Sequence, residues 1–113
     1  MHEVGLMQTA LEMAFAQVRQ AGASRIHLMR LRVGELSGVV PEALEMAFVA
    51  AIPDTPADGA ELIVERVPVI CRCAECDFRF CPNDVVYLCS NCGALNSCVQ
   101  QGRELELTSL EVS

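Results

Sequence analysis

At 113 residues the chain has the size of one domain, or of one modest domain carrying a small insertion. Its residues are 52 % apolar and 20 % charged, as in folded proteins, and 15 acids against 8 bases leave a formal charge of −7. That balance argues against nucleic acid as a partner, because phosphate binding needs lysine and arginine to release counterions. No apolar run reaches the roughly 18–20 residues that span a bilayer, so no membrane is expected either.

The chain opens Met1-His2-Glu3 and runs directly into a periodic stretch. No basic segment precedes an apolar core and a small-residue cleavage site, so no leader is expected and the cytoplasm is the expected location. Residues 4–21 put Val4, Met7, Leu11, Ala14, Phe15 and Val18 on one helical face, and Gly22 suits the left-handed position that ends a helix. In the following "RIHLMRLRVGEL", Met29, Leu31 and Val33 alternate with Arg30 and Arg32, the period-2 pattern of a half-buried strand with a solvated or interface face. His27 reads as a surface or half-buried histidine of that strand, not as a ligand. Gly34, Gly38 and Pro41 then mark a loop that leads into a second helix. Leu44, Ala47, Phe48, Ala51 and Ile52 form its inner side, with Glu42 and Glu45 opposite. "AELIVERVPV" reads as a second strand ending near Pro68.

At the far end "RELELTSLEV" alternates again, with Leu105 and Leu107 inward and Glu104, Glu106 and Glu111 outward. The phase slips between Thr108 and Leu110, which predicts a bulge near Thr108–Ser109. This strand has no helix of its own and is expected to return to the sheet of the first two. The expected class is α+β: a small mixed sheet covered by two helices on one face, with an inserted zinc-ribbon-like subdomain. The expected boundaries are 1–69 plus 103–113 for the α/β part and 70–102 for the insertion.

All seven cysteines lie between Cys71 and Cys98. A secreted disulfide scaffold would spread its cysteines along the chain, and an odd number suits it poorly. Two C-x-x-C pairs, Cys73/Cys76 and Cys89/Cys92, supply the four thiolates of a tetrahedral structural zinc site, with Gly93 permitting the tight backbone after the second. The intervening "DFRFCPNDVVYL" is long enough for a hairpin arm and too short for a core, so metal would supply most of the order. Four protein ligands leave no open position for water. Cys71, Cys81 and Cys98 have less suitable spacings and are expected to be buried or half-buried thiols.

Two readings of Met1-His2-Glu3 stay open from the residues alone. The terminal amine, the first amide nitrogens, the His2 imidazole and the Glu3 carboxylate can form a nitrogen-rich planar donor set, which suits Ni(II) or Cu(II) more than zinc. Equally, His2 and Glu3 can be a polar helix start, with Glu3 favoured by the helix dipole.

"MHE" at the start, "LMQTALEMAFAQV", "VGELSGV" (Val33 to Val39), the paired C-x-x-C motifs and "LTSLEV" together resemble the HypA/HybF family of nickel metallochaperones for NiFe hydrogenase maturation. The resemblance covers essentially the whole chain. It implies Met1, His2 and Glu3 as the nickel terminus and Cys73, Cys76, Cys89 and Cys92 as structural zinc ligands. Glu42 would be a further carboxylate near that terminus, since Val39 and Val40 offer none. Implied partners are a HypB-like GTPase and the hydrogenase large-subunit precursor, and a homodimer is one state open to the chain. The alternatives are a zinc-ribbon interaction module without nickel function, or a thiol oxidoreductase acting through Cys73. With no Ser/His/Asp set, phosphate loop or paired carboxylates, the chain is not expected to be an enzyme.

Overall fold

The computed structural model describes residues 2–82 and 87–113. Helix α1 (His2–Gln20) buries Met7, Leu11, Ala14 and Val18, whose 4-3-4 spacing keeps one stripe on the core. Val4, expected inward, is 38 % exposed; it lies ahead of Met7, the first fully buried position. The helix ends as its sequence predicts. Gly22 takes φ +69°, its N–H bonds to Arg19 O, and the Ala23 N–H bonds to Val18 O, which together satisfy two carbonyls of the last turn.

Strand β1 (Ile26–Gly34) is the centre of a three-stranded sheet ordered β2-β1-β6. A short 3-10 turn (Glu35–Ser37) and helix α2 (Pro41–Ala51) carry the chain across to β2 (Glu61–Val67), which pairs with β1 in parallel. Pro41 occupies the first helical position, where its missing N–H is no loss. β6 (Leu105–Val112) pairs antiparallel with β1 on its other side. Its register steps from Arg30↔Ser109 to Leu31↔Leu107, so Thr108 is the extra residue of the expected bulge. The sheet is mixed, and the two helices pack with it around Met29, Leu31, Val33, Leu44 and Phe48. The opposite face carries the arginines: Arg30 is exposed, and Arg32 faces Glu65 at 3.7 Å. His27 is exposed, with Nε2 2.6 Å from the Ser113 hydroxyl.

A second three-stranded sheet, ordered β4-β3-β5, is built from β3 (Ile70–Cys73), β4 (Arg79–Phe80) and β5 (Ser97–Gln101). Its core is small: Val69, Cys71, Cys73, Phe80 and Cys89. The stretch 77–88, read as long enough for a hairpin arm, is described only in part. β4 pairs back across the first C-x-x-C to β3, Cys71 opposite Phe80, while Asn83–Val86 lie outside the described residues. A short pair of strands around a turn can be closed by the turn itself, so the hairpin forms where the knuckle already reverses the chain.

Where the two sheets meet, backbone packs on backbone. The Gly34 N–H bonds to Glu104 O and the Leu36 N–H to Gly102 O, both at 2.7 Å. The Gln101 amide donates to Pro68 O at 3.0 Å.

Candidate metal centres

The first knuckle begins at Cys73 and the second at Cys89, sixteen residues later, and the two repeat one another bond for bond. In the first, the Asp77 N–H donates to Cys73 O and the Cys73 N–H to Phe78 O, each at 2.9 Å. In the second, the Gly93 N–H donates to Cys89 O and the Cys89 N–H to Ala94 O, again at 2.9 Å. Each turn closes on a left-handed residue, Asp77 at φ +66° and Gly93 at φ +77°. Such a turn places both sulfurs of C-x-x-C on one side, and β3 with the loop ahead of β5 sets the two turns face to face.

The four sulfurs of Cys73, Cys76, Cys89 and Cys92 all lie within 4.8 Å of one another. Cys73 to Cys92 and Cys76 to Cys89 are each 3.6 Å. A tetrahedral zinc–thiolate centre, with bonds of about 2.3 Å, requires sulfurs roughly 3.8 Å apart. The donor set therefore fits zinc. Polar donors converge on it as well: the Asn91 and Cys92 N–H groups on Cys89 Sγ at 3.4 and 3.5 Å, and the Asn91 side-chain amide on Cys76 Sγ at 3.5 Å.

These donors set the protonation of the cluster. The Asn91 amide and the Phe78 N–H hold the Cys76 thiol down to about 6. The Ala94 N–H acts on Cys92 in the same direction, but the hydrogen bonds from Cys73 and Cys76 together with burial outweigh it and push Cys92 up to about 12. The Cys76 thiolate forms readily, and that of Cys92 is costly beside it without a cation. That is the behaviour of a site completed by a divalent metal. Cys73 is fully buried, so its sulfur is closed to an attacking disulfide and does not suit thiol exchange.

The remaining cysteines divide. Cys71 is fully buried, and burial pushes its thiol up, with Arg103 opposing. Cys81 and Cys98 are exposed, contrary to the expectation of burial: Cys98 lies on β5 on the side away from the small core, and Cys81 follows the last residue of β4.

At the other end of the molecule His2 and Glu3 open α1, and Met1 lies outside the described residues. His2 Nδ1 is 3.3 Å from Glu3 Oε2, and the same oxygen accepts the Val40 N–H at 3.4 Å. Its own N–H and that of Val40 hold the Glu3 carboxyl below its ordinary value. The His2 side chain is 57 % exposed and that of Glu3 14 %, so an imidazole stands in solvent above a carboxylate that is already tied down. Glu42 is exposed on the first turn of α2 and makes no hydrogen bond or ion pair among the described residues. The contacts that sequence reasoning missed are the Val40 amide and the Asn91 side chain. Neither has a signal in composition or spacing, since one is backbone and the other is an unremarked residue inside a C-x-x-C.

Residues 1–112 match the family described as hydrogenase/urease nickel incorporation, metallochaperone, hypA. A hydrogenase maturation factor HypA from Picosynechococcus sp. is 46 % identical over 112 residues, covering 99 % of each chain. One of the same name from Geotalea uraniireducens is 38 % identical, again over 99 % of each. The fold is similar to the solution structure of the Ni metallochaperone HypA from Helicobacter pylori, with TM-score 0.65, 23 % identity, and 97 % of this chain and 96 % of that one covered. It is similar also to a solution structure of a HypA protein, with TM-score 0.69, 25 % identity, and 100 % and 97 % covered.

Proposed function

Since the chain belongs to the HypA family of nickel metallochaperones for hydrogenase maturation, which are not enzymes, we propose that it carries Ni(II) on Met1, His2 and Glu3 while zinc on Cys73, Cys76, Cys89 and Cys92 holds its second sheet. Residues 1–69 with 103–113 are the nickel-handling part, and residues 70–102 the zinc-held insertion. The observation that carries the nickel assignment is the pairing of an exposed His2 imidazole with a Glu3 carboxylate fixed to the Val40 amide. Glu3 has little freedom to swing, so the helix start is set in place while the imidazole can turn onto an ion. Nitrogen donors favour Ni(II), and solvent exposure lets them be exchanged, as a carrier requires.

Zinc, when bound, supplies the cross-link that joins the two knuckles and neutralises their thiolates. Around it the chain's own residues do the positioning. Asn91 orients Cys76, the left-handed residues close each turn, and the buried Cys71 fills the space behind. The cargo passes to the hydrogenase large-subunit precursor with help from a HypB-like GTPase, in the cytoplasm. No helix among the described residues is long and apolar enough to cross a membrane.

The test is nickel and zinc analysis of protein with an unblocked terminus. One nickel and one zinc per chain are expected. His2→Ala, or residues added ahead of Met1, removes the nickel and leaves the zinc. Because amine and imidazole donors must shed their protons to bind a metal, nickel is also released on mild acidification. Nickel retained by His2→Ala at neutral pH overturns the assignment.

A further inference from the structure

Two helices do not cover three strands evenly. α1 leaves the inner side of β6 partly open, and a groove of about 440 Å³ runs there between Met13 and Gln17 on the helix, with Ala21 just past its end, and Leu107, Leu110 and Val112 on the strand. A further space of about 140 Å³ extends it past Leu6, Ala10 and Leu105. Its apolar walls are open to water: Met13 is 54 % exposed, Leu105 42 % and Val112 37 %. The outer edge of β6 is free among the described residues, since the sheet ends there. Sheet edges are ordinarily protected by lysine, proline or a covering element. "LELTSLEV" has neither residue, and its pairing with β1 is irregular at two places: the bulge at Thr108, whose hydroxyl donates to Arg30 O, and a register shift between Ile26 and Leu28 of β1.

The bulge also sorts the side chains of β6. Leu105, Leu107, Leu110 and Val112 fall on the groove side, whereas Glu106 and Glu111 stand opposite Arg32 and Leu28 on the far face of the sheet. An added strand would therefore meet apolar neighbours at alternate positions and carboxylates at the others. We propose that the β6 edge and its groove seat an extended segment of a partner protein in which apolar residues alternate with lysine or arginine.

Other occupants satisfy the site less well. A second copy pairing β6 with β6 would set Leu107 against Leu110, but that register puts Glu106 opposite Glu111 on both ends of the two-fold, and like charges directly opposed are destabilising. The chain's charge of −7 adds to the repulsion. An amphipathic helix could fill the groove but has no backbone groups to offer the open edge. A strand supplies both, main-chain bonds for affinity and alternate side chains for specificity.

Zinc-loaded full-length protein is titrated with an end-blocked octapeptide alternating valine and lysine, with amide NMR shifts as the readout. Shifts concentrated in β6 and on the Met13 side of α1 are expected. Met13→Glu, on an exposed wall, weakens binding at least tenfold with an unchanged circular dichroism spectrum. The double variant Glu106→Lys/Glu111→Lys weakens it likewise and in exchange gains at least tenfold for a peptide alternating valine and glutamate. Three results overturn the proposal: no shifts in β6 at about 1 mM peptide, the weak end of specific affinity; equal binding of a peptide with the same residues in two blocks; or β6 shifts that follow protein concentration alone, the mark of self-pairing.

Discussion

Asp77 and Gly93 do the same work in the two knuckles with different side chains, and the difference is measurable. Both sit left-handed, where a Cβ costs about 1–2 kcal/mol in most residues and less in aspartate, whose short polar side chain tolerates the region. A Cβ at Gly93 would meet nothing within 4 Å, so the penalty for Gly93→Ala is one of backbone alone. It should fall on the zinc-bound form and weaken zinc retention roughly tenfold, at about 1.4 kcal/mol per decade. Asp77→Gly relieves its turn but gives up the exposed Arg72–Asp77 ion pair, worth under about 1 kcal/mol, so zinc retention should hold within a factor of about three. Competition against a chromogenic chelator reads both. Equal losses in the two variants would mean that the knuckles are not equivalent turns. The clustering of Cys73, Cys76, Cys89 and Cys92 was legible because sulfur spacing is a local code. The Asn91 donor was not, because nothing in "SNC" distinguishes an amide that faces a thiolate from one that faces water.

Among elements, the helices and the first sheet were legible wherever one face is buried. Period 3.6 in α1 and α2 and period 2 in β1 are consequences of a core on one side, and the slip at Thr108 betrayed the bulge for the same reason. Packing between backbones leaves no such pattern. Gly34 looked like a loop marker, yet its φ of −75° is ordinary for any residue. What it provides is room: a Cβ there would stand 2.1 Å from Gly102 O and 2.6 Å from Arg103 N. Those are main-chain atoms pinned by the Gly34–Glu104 and Leu36–Gly102 hydrogen bonds and cannot step aside. Gly34→Ala is expected to cost about 3 kcal/mol or more, the upper range of overpacking, as a lower urea midpoint. A loss below about 0.5 kcal/mol would show that this junction is loose. The same junction joins the two ends of the molecule. The loop from Glu35 to Val40 touches Gly102 through Leu36 at one end and Glu3 through Val40 at the other.

At the scale of the whole molecule, the two sheets differ in what can hold them. Among the described residues, the first has fourteen buried residues behind it, from Met7 to Ala57. The second has five, three of them cysteines, and two of those three belong to the metal cluster. Burial of a residue such as Leu or Phe contributes about 1.5–3 kcal/mol, while ordering each residue costs about 1–2 kcal/mol of backbone entropy, so a core of that size does not order some thirty residues by itself. The proposed metal ligation would supply the deficit, since the binding free energy of a structural zinc is also folding free energy. Stripping the metal at neutral pH with a strong chelator under reducing conditions should therefore unfold the second sheet and spare the first. Amide resonances of β3, β4 and β5 should collapse to the unfolded region. Those of β1, β2 and β6 keep their dispersion, and the helical circular dichroism signal stays within about a tenth of its starting value, because among the described residues the buried side chains of α1 and α2 belong to the first core. Restoring zinc restores the spectrum. Loss of the helical signal together with the metal would mean that the junction at Gly34 and Gly102 transmits more stability than its few hydrogen bonds suggest, and that the two cores fold as one.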